Sequence, residues 1–200
     1  MKLVFASNNQ HKLAEVRKIF SAQVEVVSLQ DIGFHQEIDE TGSTLEANSQ
    51  LKAEVVWKWL VSKDLEKTYD GVFADDTGLE IEALGGQPGV YSARWAGEPA
   101  NDANNRKKAL VTLAEEENRR AQFRTVITLI SRKGVIQVDG VVEGLIAYEE
   151  TGLGGFGYDA IFIPEGYTET FAMLSHEIKN SISHRARALM ALRDVIDKSI

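Results

Sequence analysis

Two β-rich runs, 121–131 and 135–147, are separated only by a short polar turn at Lys133-Gly134. So short a connection can join antiparallel neighbours, whereas a parallel crossover needs a dozen or more residues. The chain opens differently. Leu3–Ala6 is a short apolar run, followed by the polar loop Ser7-Asn8-Asn9-Gln10-His11-Lys12 and then by Leu13, Val16, Ile19 and Phe20 at helical spacing. Val24–Leu29 can form a second strand. A strand–helix–strand opening and a later hairpin in one chain predict an α/β or α+β fold: a long mixed sheet with flanking helices. The 200 residues suffice for one sizeable domain or for two small lobes sharing a core. No repeat, low-complexity tract or linker interrupts them.

Between these landmarks the chain alternates loops and capped helices. Residues 31–43 are loop-like and acidic, with Glu37, Asp39 and Glu40 ahead of Thr41-Gly42. Ser43 or Thr44 can cap a helix reaching about Val61. Its inward stripe is expected to be Leu45, Asn48, Lys52, Val55 and Trp59. A lysine in such a stripe either snorkels to solvent or meets a buried anion. Leu79–Ala83 reads as a strand. The glycine-rich stretch 84–97 reads as a loop, serving as a connection, a subunit contact or a lid. Asn101 or Asp102 caps a helix to about Glu117. A second glycine-rich segment, 152–159, precedes a strand over Ala160–Ile163 that Pro164 ends. The last helix has a core stripe of Ala188, Leu189, Leu192, Val195 and Ile196, and its N-terminal region carries Lys179, Ser181, Ser183, His184 and Arg185.

A formal net charge of −8 argues against non-specific binding to a nucleic acid backbone, which needs a basic face. With no cysteine there is no disulfide framework, thiol nucleophile or zinc–thiolate site. No apolar stretch approaches a membrane span, and Met1–Ala6 reads as a strand rather than a signal peptide core. The expected compartment is the cytoplasm.

The chemistry gathers around Asp75-Asp76. The pair closes the apolar run Gly71-Val72-Phe73-Ala74 and is followed by Thr77-Gly78, which predicts a strand ending in a turn. Two adjacent carboxylates call for a cation, a proton or a reacting water. Oxygen ligands of this kind suit Mg²⁺ or Mn²⁺, although Asp-Thr-Gly is also ordinary turn chemistry. Phe156 stands between glycines that allow close backbone approach, and its ring is either a stacking face for a nucleobase or a core residue beside a bulge. His184-Arg185 at a helix start oppose the macrodipole unless an anion lies there. The other histidines, His11, His35 and His176, lack metal-ligand spacing to one another, which argues against a histidine zinc site.

Taken in order, Ser7-x-Asn9-x-x-Lys12, Glu40-Thr41-Gly42, Glu46-x-Asn48-x-x-x-Lys52-Ala53, Ala74-Asp75-Asp76-Thr77-Gly78-Leu79, Pro88-Gly89-Val90-Tyr91-Ser92-Ala93-Arg94, Gly154-Gly155-Phe156-Gly157-Tyr158-Asp159 and Ser183-His184-Arg185 resemble the Ham1/RdgB family of inosine triphosphate pyrophosphatases. The resemblance runs from residue 3 to about residue 192. Asn8 stands where many members have Gly, and Thr77 where many have Ser. The resemblance implies a single domain over 1–200, with two lobes around a central nucleotide-binding cleft. It implies a usually homodimeric, Mg²⁺-dependent enzyme that converts ITP, dITP and XTP to the monophosphate and pyrophosphate. By motif, Ser7, Asn8, Asn9, Gln10, His11 and Lys12 would hold phosphates, and Lys52 would face them near Asn48. Glu40 and Asp76 would position Mg²⁺, Asp76 would activate water, and Asp75 would support them. Thr77 would touch the nucleotide and Phe156 would stack on the base. Gly157, Tyr158, Asp159, Lys179, His184 and Arg185 would line the base and sugar pocket.

The C6 carbonyl of hypoxanthine or xanthine is an acceptor where adenine has a donor. A pocket that rejects adenine must therefore present donors there, from His184, Arg185 or the backbone N–H groups of 156–159. Two alternatives keep the pocket and change its use: a Maf-like pyrophosphatase of other modified nucleoside triphosphates, and a nucleotide-sensing module without turnover.

Overall fold

The structure, a computed structural model, describes residues 1–20 and 24–198. Its strands are β1 (Lys2–Phe5), β2 (Glu25–Ser28), β3 (Gly71–Ile81), β4 (Pro88–Gly89), β5 (Arg120–Ser131), β6 (Gly134–Ile146) and β7 (Phe162–Pro164). The helices among the described residues are α1 (Gln10–Ile19), α2 (Leu45–Ser62), α3 (Asp102–Thr112), α4 (His176–Ile182) and α5 (His184–Lys198). The strands pair in the order β2-β1-β3-β5-β6-β7, with β4 added to β3. β1 runs parallel to β2 and β3, while β4 is antiparallel to β3 and β7 to β6. The expected mixed sheet with flanking helices is the observed fold. No helix among the described residues is long and apolar enough to cross a membrane.

The chain forms two compact units: Met1–Asp76, Thr125–Gly140 and Arg185–Ile200 make up the first, and Thr77–Arg124 with Val141–His184 the second. In the first unit β1 and the start of β3 are buried on both faces, and the two-residue period of a strand sorts their side chains. Leu3, Phe5 and Phe73 pack with Leu13 and Val16 of α1 and Leu189 and Leu192 of α5. Val4, Ala6, Val72 and Ala74 pack instead with Ala53, Val56 and Leu60 of α2. In the second unit Leu79, Ile81, Ala109, Phe123, Phe162 and Phe171 form a separate core.

Several local expectations need correction. No turn follows Asp76: β3 continues unbroken to Ile81. Gly78 is required for another reason, since a Cβ there would lie 2.6 Å from the carbonyl oxygen of Gly89 on β4. The stretch 84–97 is therefore not simply a loop. It contains β4 and a short 3₁₀ turn at Ser92–Arg94, and Asn105 of α3 ties it down by bonding Ala96 N–H at 2.7 Å and Ala93 C=O at 2.8 Å. On α2 the fully buried positions after Lys52 are Ala53, Val56 and Leu60, one residue on from the expected Val55 and Trp59, which are only partly buried. α3 ends at Thr112, short of Glu117. The 160–163 strand begins as a 3₁₀ turn over Asp159–Ile161, and only Phe162–Pro164 pair. The last helix is two helices, separated at Ser183 by an extended backbone (ψ 153°).

Candidate active site

The alternation that sorts the core also separates the two aspartates. Asp75 follows Phe73 onto the α1/α5 face, and Asp76 follows Val72 and Ala74 onto the α2 face. The neighbours therefore meet different partners. Asp75 is 1% exposed and lies between two cations: Lys12 Nζ at 3.0 Å and Arg185 Nε at 2.9 Å. Burial resists its ionisation, but Lys12, Arg185 and Lys52 outweigh burial and hold the carboxyl well below the usual range. Arg185, itself buried, is also paired with Glu15 through Nη1. Burial likewise pulls on the Arg185 guanidinium, and Asp75 and Glu15 more than offset it.

Asp76 is placed in the opposite sense. Burial raises its pKa; Lys52 and Lys12 oppose that, and the negative charges of Glu40 and Asp75 add to it, so the net shift is upward. The side chain receives Asn48 Nδ2 at 3.2 Å and Lys52 Nζ at 3.3 Å. Lys52 does not snorkel. Its ammonium is buried and also donates to Glu40 Oε1 at 2.5 Å, so one cation is shared by two carboxylates. Burial lowers the Lys52 pKa, and Asp76, Glu40 and Asp75 together more than restore it.

Asn48 sets the geometry of this cluster from both ends. Its Nδ2 reaches Asp76, and its Oδ1 accepts the Gly42 N–H at 2.7 Å, two residues after Glu40. A Cβ on Gly42 would stand 2.6 Å from that Oδ1 and 2.9 Å from Asn48 N. Gly42→Ala is therefore expected to push Asn48 off Asp76. We expect kcat/KM to fall about tenfold or more and stability by about 1–3 kcal/mol. Steady-state kinetics alongside a urea titration checks both.

The opening loop is internally bonded. Asn9 caps α1, its Oδ1 accepting from His11 N–H at 3.0 Å and Lys12 N–H at 3.1 Å, while Ser7 Oγ accepts from Asn9 N–H at 3.2 Å. α1 starts at Gln10, so Gln10, His11 and Lys12 lie on its first turn rather than in the loop. Asn8, Asn9, Gln10 and His11 are exposed, and Ser7 and Lys12 half-buried.

The other predicted residues fall in the second unit. Thr77 continues β3 and is half-buried. Asp159 is buried, accepting from Phe156 N–H at 2.8 Å and from Lys179 Nζ at 2.6 Å, and that ammonium stands 4.9 Å from the centre of the Phe156 ring. A Cβ on Gly155 would lie 2.1 Å from Asp159 Oδ2, which is why glycine precedes Phe156. Gly157 has a left-handed φ of 60°. Tyr158 is buried and its hydroxyl donates to Ser92 C=O at 2.8 Å; burial, then Asp102, pushes its pKa up. The His184 imidazole is buried and stacked on Phe123, with centroids 4.7 Å apart.

Sequence reasoning missed Glu15, Asp102, Arg106 and Phe123. Glu15 lies one helical turn after Lys12, but nothing local connects it to Arg185, 170 positions away. Asp102 and Arg106 form an i, i+4 pair on α3 that bonds to Gly157. Phe123 reads as core, which it also is.

Glu40 and Asp76 fit a hard divalent cation: oxygen donors already sharing one positive charge, with Asp76 destabilised as an anion. Mg²⁺ typically takes one or two carboxylates and fills the rest with water and phosphate oxygens. Among the described residues no set of three or more His, Asp or Glu converges as a cage.

The mixed sheet of this α/β protein presents buried carboxylates against lysine and arginine, one acid held below the usual range and its neighbour above it, a charge arrangement suited to polyphosphate chemistry. The chain belongs to the Ham1 family, whose sequence model matches residues 3–195. It is 51% identical over 197 residues to a dITP/XTP pyrophosphatase of Porphyromonas gingivalis, covering 98% of this chain and 97% of that one. It is 48% identical over 194 residues to a dITP/XTP pyrophosphatase of Flavobacterium psychrophilum, covering 97% and 98%. The solved structure of the Staphylococcus aureus Ham1 protein superposes with a TM-score of 0.87 at 39% identity, covering all of both chains.

Proposed function

We propose that this chain hydrolyses non-canonical purine nucleoside triphosphates (dITP, XTP and ITP) to the nucleoside monophosphate and pyrophosphate. Such an activity removes these nucleotides from the pool before they enter DNA or RNA. The observation that carries the reading is the Lys52 ammonium held between Glu40 and Asp76, which joins a cation for phosphate charge to a poised base. The named activity of relatives at 51% and 48% identity over nearly the full length agrees with it.

In this reading Lys12 and Lys52 neutralise the polyphosphate. Glu40 and Asp76 hold Mg²⁺, with Mn²⁺ as a substitute, and the ion when bound supplies positive charge to the phosphate oxygens. The Asp76 carboxylate takes a proton from the attacking water as the bond between the α- and β-phosphates breaks. In the metal-free chain Asp76 is the more basic of the two carboxylates, its pKa raised where that of Asp75 is depressed. Asp75, held by Lys12 and Arg185, keeps those cations in place. Phe156 stacks on the base, and Thr77, Tyr158, Asp159 and Lys179 complete the nucleotide's surroundings.

One element of base recognition changes. The N–H groups of Phe156, Gly157 and Asp159 are given to Asp159, Asp102 and Phe156 C=O respectively. Of the backbone donors of 156–159 this leaves the Tyr158 N–H for the C6 carbonyl, beside the side chains of His184 and Arg185. We assign the working form as a cytoplasmic homodimer on the family resemblance.

The test is product identification with ITP, XTP, GTP, ATP and dTTP in the presence of Mg²⁺. ITP and XTP are expected to give stoichiometric pyrophosphate, with ATP and dTTP slower by about 100-fold or more. Orthophosphate from ITP would refute the proposed bond, and tight ITP binding without turnover would favour a sensor.

A further inference from the structure

The Phe156 loop is secured at two points. Inside, Asp159 and Lys179 hold Phe156 N–H and the face of its ring. The second point is at the start of α3. There Asp102 Oδ2 accepts the Gly157 N–H at 2.8 Å, and Arg106 Nη1 donates to the Gly157 C=O at 2.9 Å. Both polar groups of one residue are thus gripped by one helix face, because an i, i+4 pair stands one turn apart. Arg106 is oriented for this by a separate bond, Nε to Glu150 Oε2 at 2.9 Å.

Helix capping does not account for Asp102. The cap is Asn101, whose Oδ1 accepts Asn104 N–H at 2.9 Å. Nor does core packing, since Asp102 is exposed. What it holds is a glycine with left-handed backbone, next to the aromatic ring read as the base-stacking surface. A residue with that backbone has several conformations open to it, and the angle of the neighbouring ring depends on which one is populated.

We propose that Asp102 and Arg106 are positioning residues for nucleobase recognition: by clamping the Gly157 peptide they fix the plane of Phe156 on which the base stacks. This rests on the reading of Phe156 as the stacking residue. Binding of the base is then sensitive to the clamp, whereas binding of the phosphates, assigned to Lys12 and Lys52, is not.

The full-length chain with Mg²⁺ tests this by steady-state kinetics on ITP and by inhibition with inorganic tripolyphosphate. Asp102→Ala is expected to raise KM for ITP about tenfold, equivalent to about 1.4 kcal/mol, with kcat within about twofold of wild type. Tripolyphosphate inhibition should be unchanged. Asp102→Asn, whose Oδ1 still accepts the Gly157 N–H, should restore KM to near the wild-type value. Phe156→Ala sets the upper limit of the effect. Arg106→Ala makes the same prediction from the carbonyl side and decides the matter if Asp102→Ala proves unstable in a thermal melt. A wild-type KM in both variants, a loss confined to kcat, or an equal weakening of tripolyphosphate would overturn the proposal. Wild-type protein that fails to turn over ITP would instead overturn the functional reading, and this inference with it.

Discussion

Asp76→Asn is expected to lose about 10³-fold or more in kcat on ITP while remaining folded. General-base catalysis is typically worth about 10²- to 10⁴-fold, and the amide can neither accept the water's proton nor hold a divalent cation well. The stability half of the result follows from the direction of the pKa shift. Burial, Glu40 and Asp75 raise the folded Asp76 pKa above the ordinary 3.8. Ionising it therefore costs stability, fully so above the folded pKa and not at all below 3.8. Asparagine removes that cost, but its single Oδ1 replaces two oxygens that accept separately from Asn48 Nδ2 and Lys52 Nζ, so one of those bonds is lost while Glu40 still pairs with Lys52. Metal-free melts should show a folded variant at pH 7 whose stability relative to wild type falls as the pH is lowered towards 3.8. A folded variant that keeps near-wild-type turnover would remove Asp76 from the chemistry.

Asp75→Asn, one residue away, is expected to do the reverse and destabilise the protein by about 3–5 kcal/mol. That is the range for breaking a buried ion pair and leaving its partner uncompensated. Arg185, 2% exposed, would lose one of its two carboxylate bonds, and Lys12 would lose its bond to Asp75. The sign with pH is also reversed. Asp75 has a folded pKa below 3.8, so its stabilisation is present above that value and disappears as pH falls below it. Urea unfolding at neutral pH should show a large wild-type advantage that shrinks as the pH is lowered through 3.8. Equal stability of variant and wild type at pH 7 would show that the Lys12–Asp75–Arg185 network holds nothing together.

This division between adjacent residues marks the boundary of what the sequence conveyed. Elements with local signals were legible: Thr44 as the cap of α2, Asn101 as the cap of α3, and the β5–β6 hairpin across Lys133-Gly134. Lys52 in an otherwise apolar stripe was rightly suspicious, and the buried anion turned out to be two carboxylates. The turn after Asp76 was misread because Gly78 has the look of turn chemistry, whereas its hydrogen makes room for the backbone of β4. That β3 runs on was the key missing fact. A strand that continues must send Asp75 and Asp76 to opposite faces, so the two bond different cations, Lys12 and Arg185 on one side and Lys52 on the other. Long-range partners were invisible for a simpler reason: Glu15 with Arg185, and Asp102 with Gly157, meet only through the fold. The split between α4 and α5 at Ser183 was hidden because His184 and Arg185 continue a helical pattern that tolerates a one-residue break.

The most direct test is a side-chain carboxyl titration by ¹³C NMR of the metal-free protein, with Asp75 and Asp76 assigned through bonds. The account predicts that they part: Asp76 titrates above 3.8, while Asp75 stays ionised well below it. Coincident titrations, or Asp75 titrating above Asp76, would contradict the separation of the two carboxylates into an anchor held by Lys12 and Arg185 and a base whose ionisation burial and Glu40 resist.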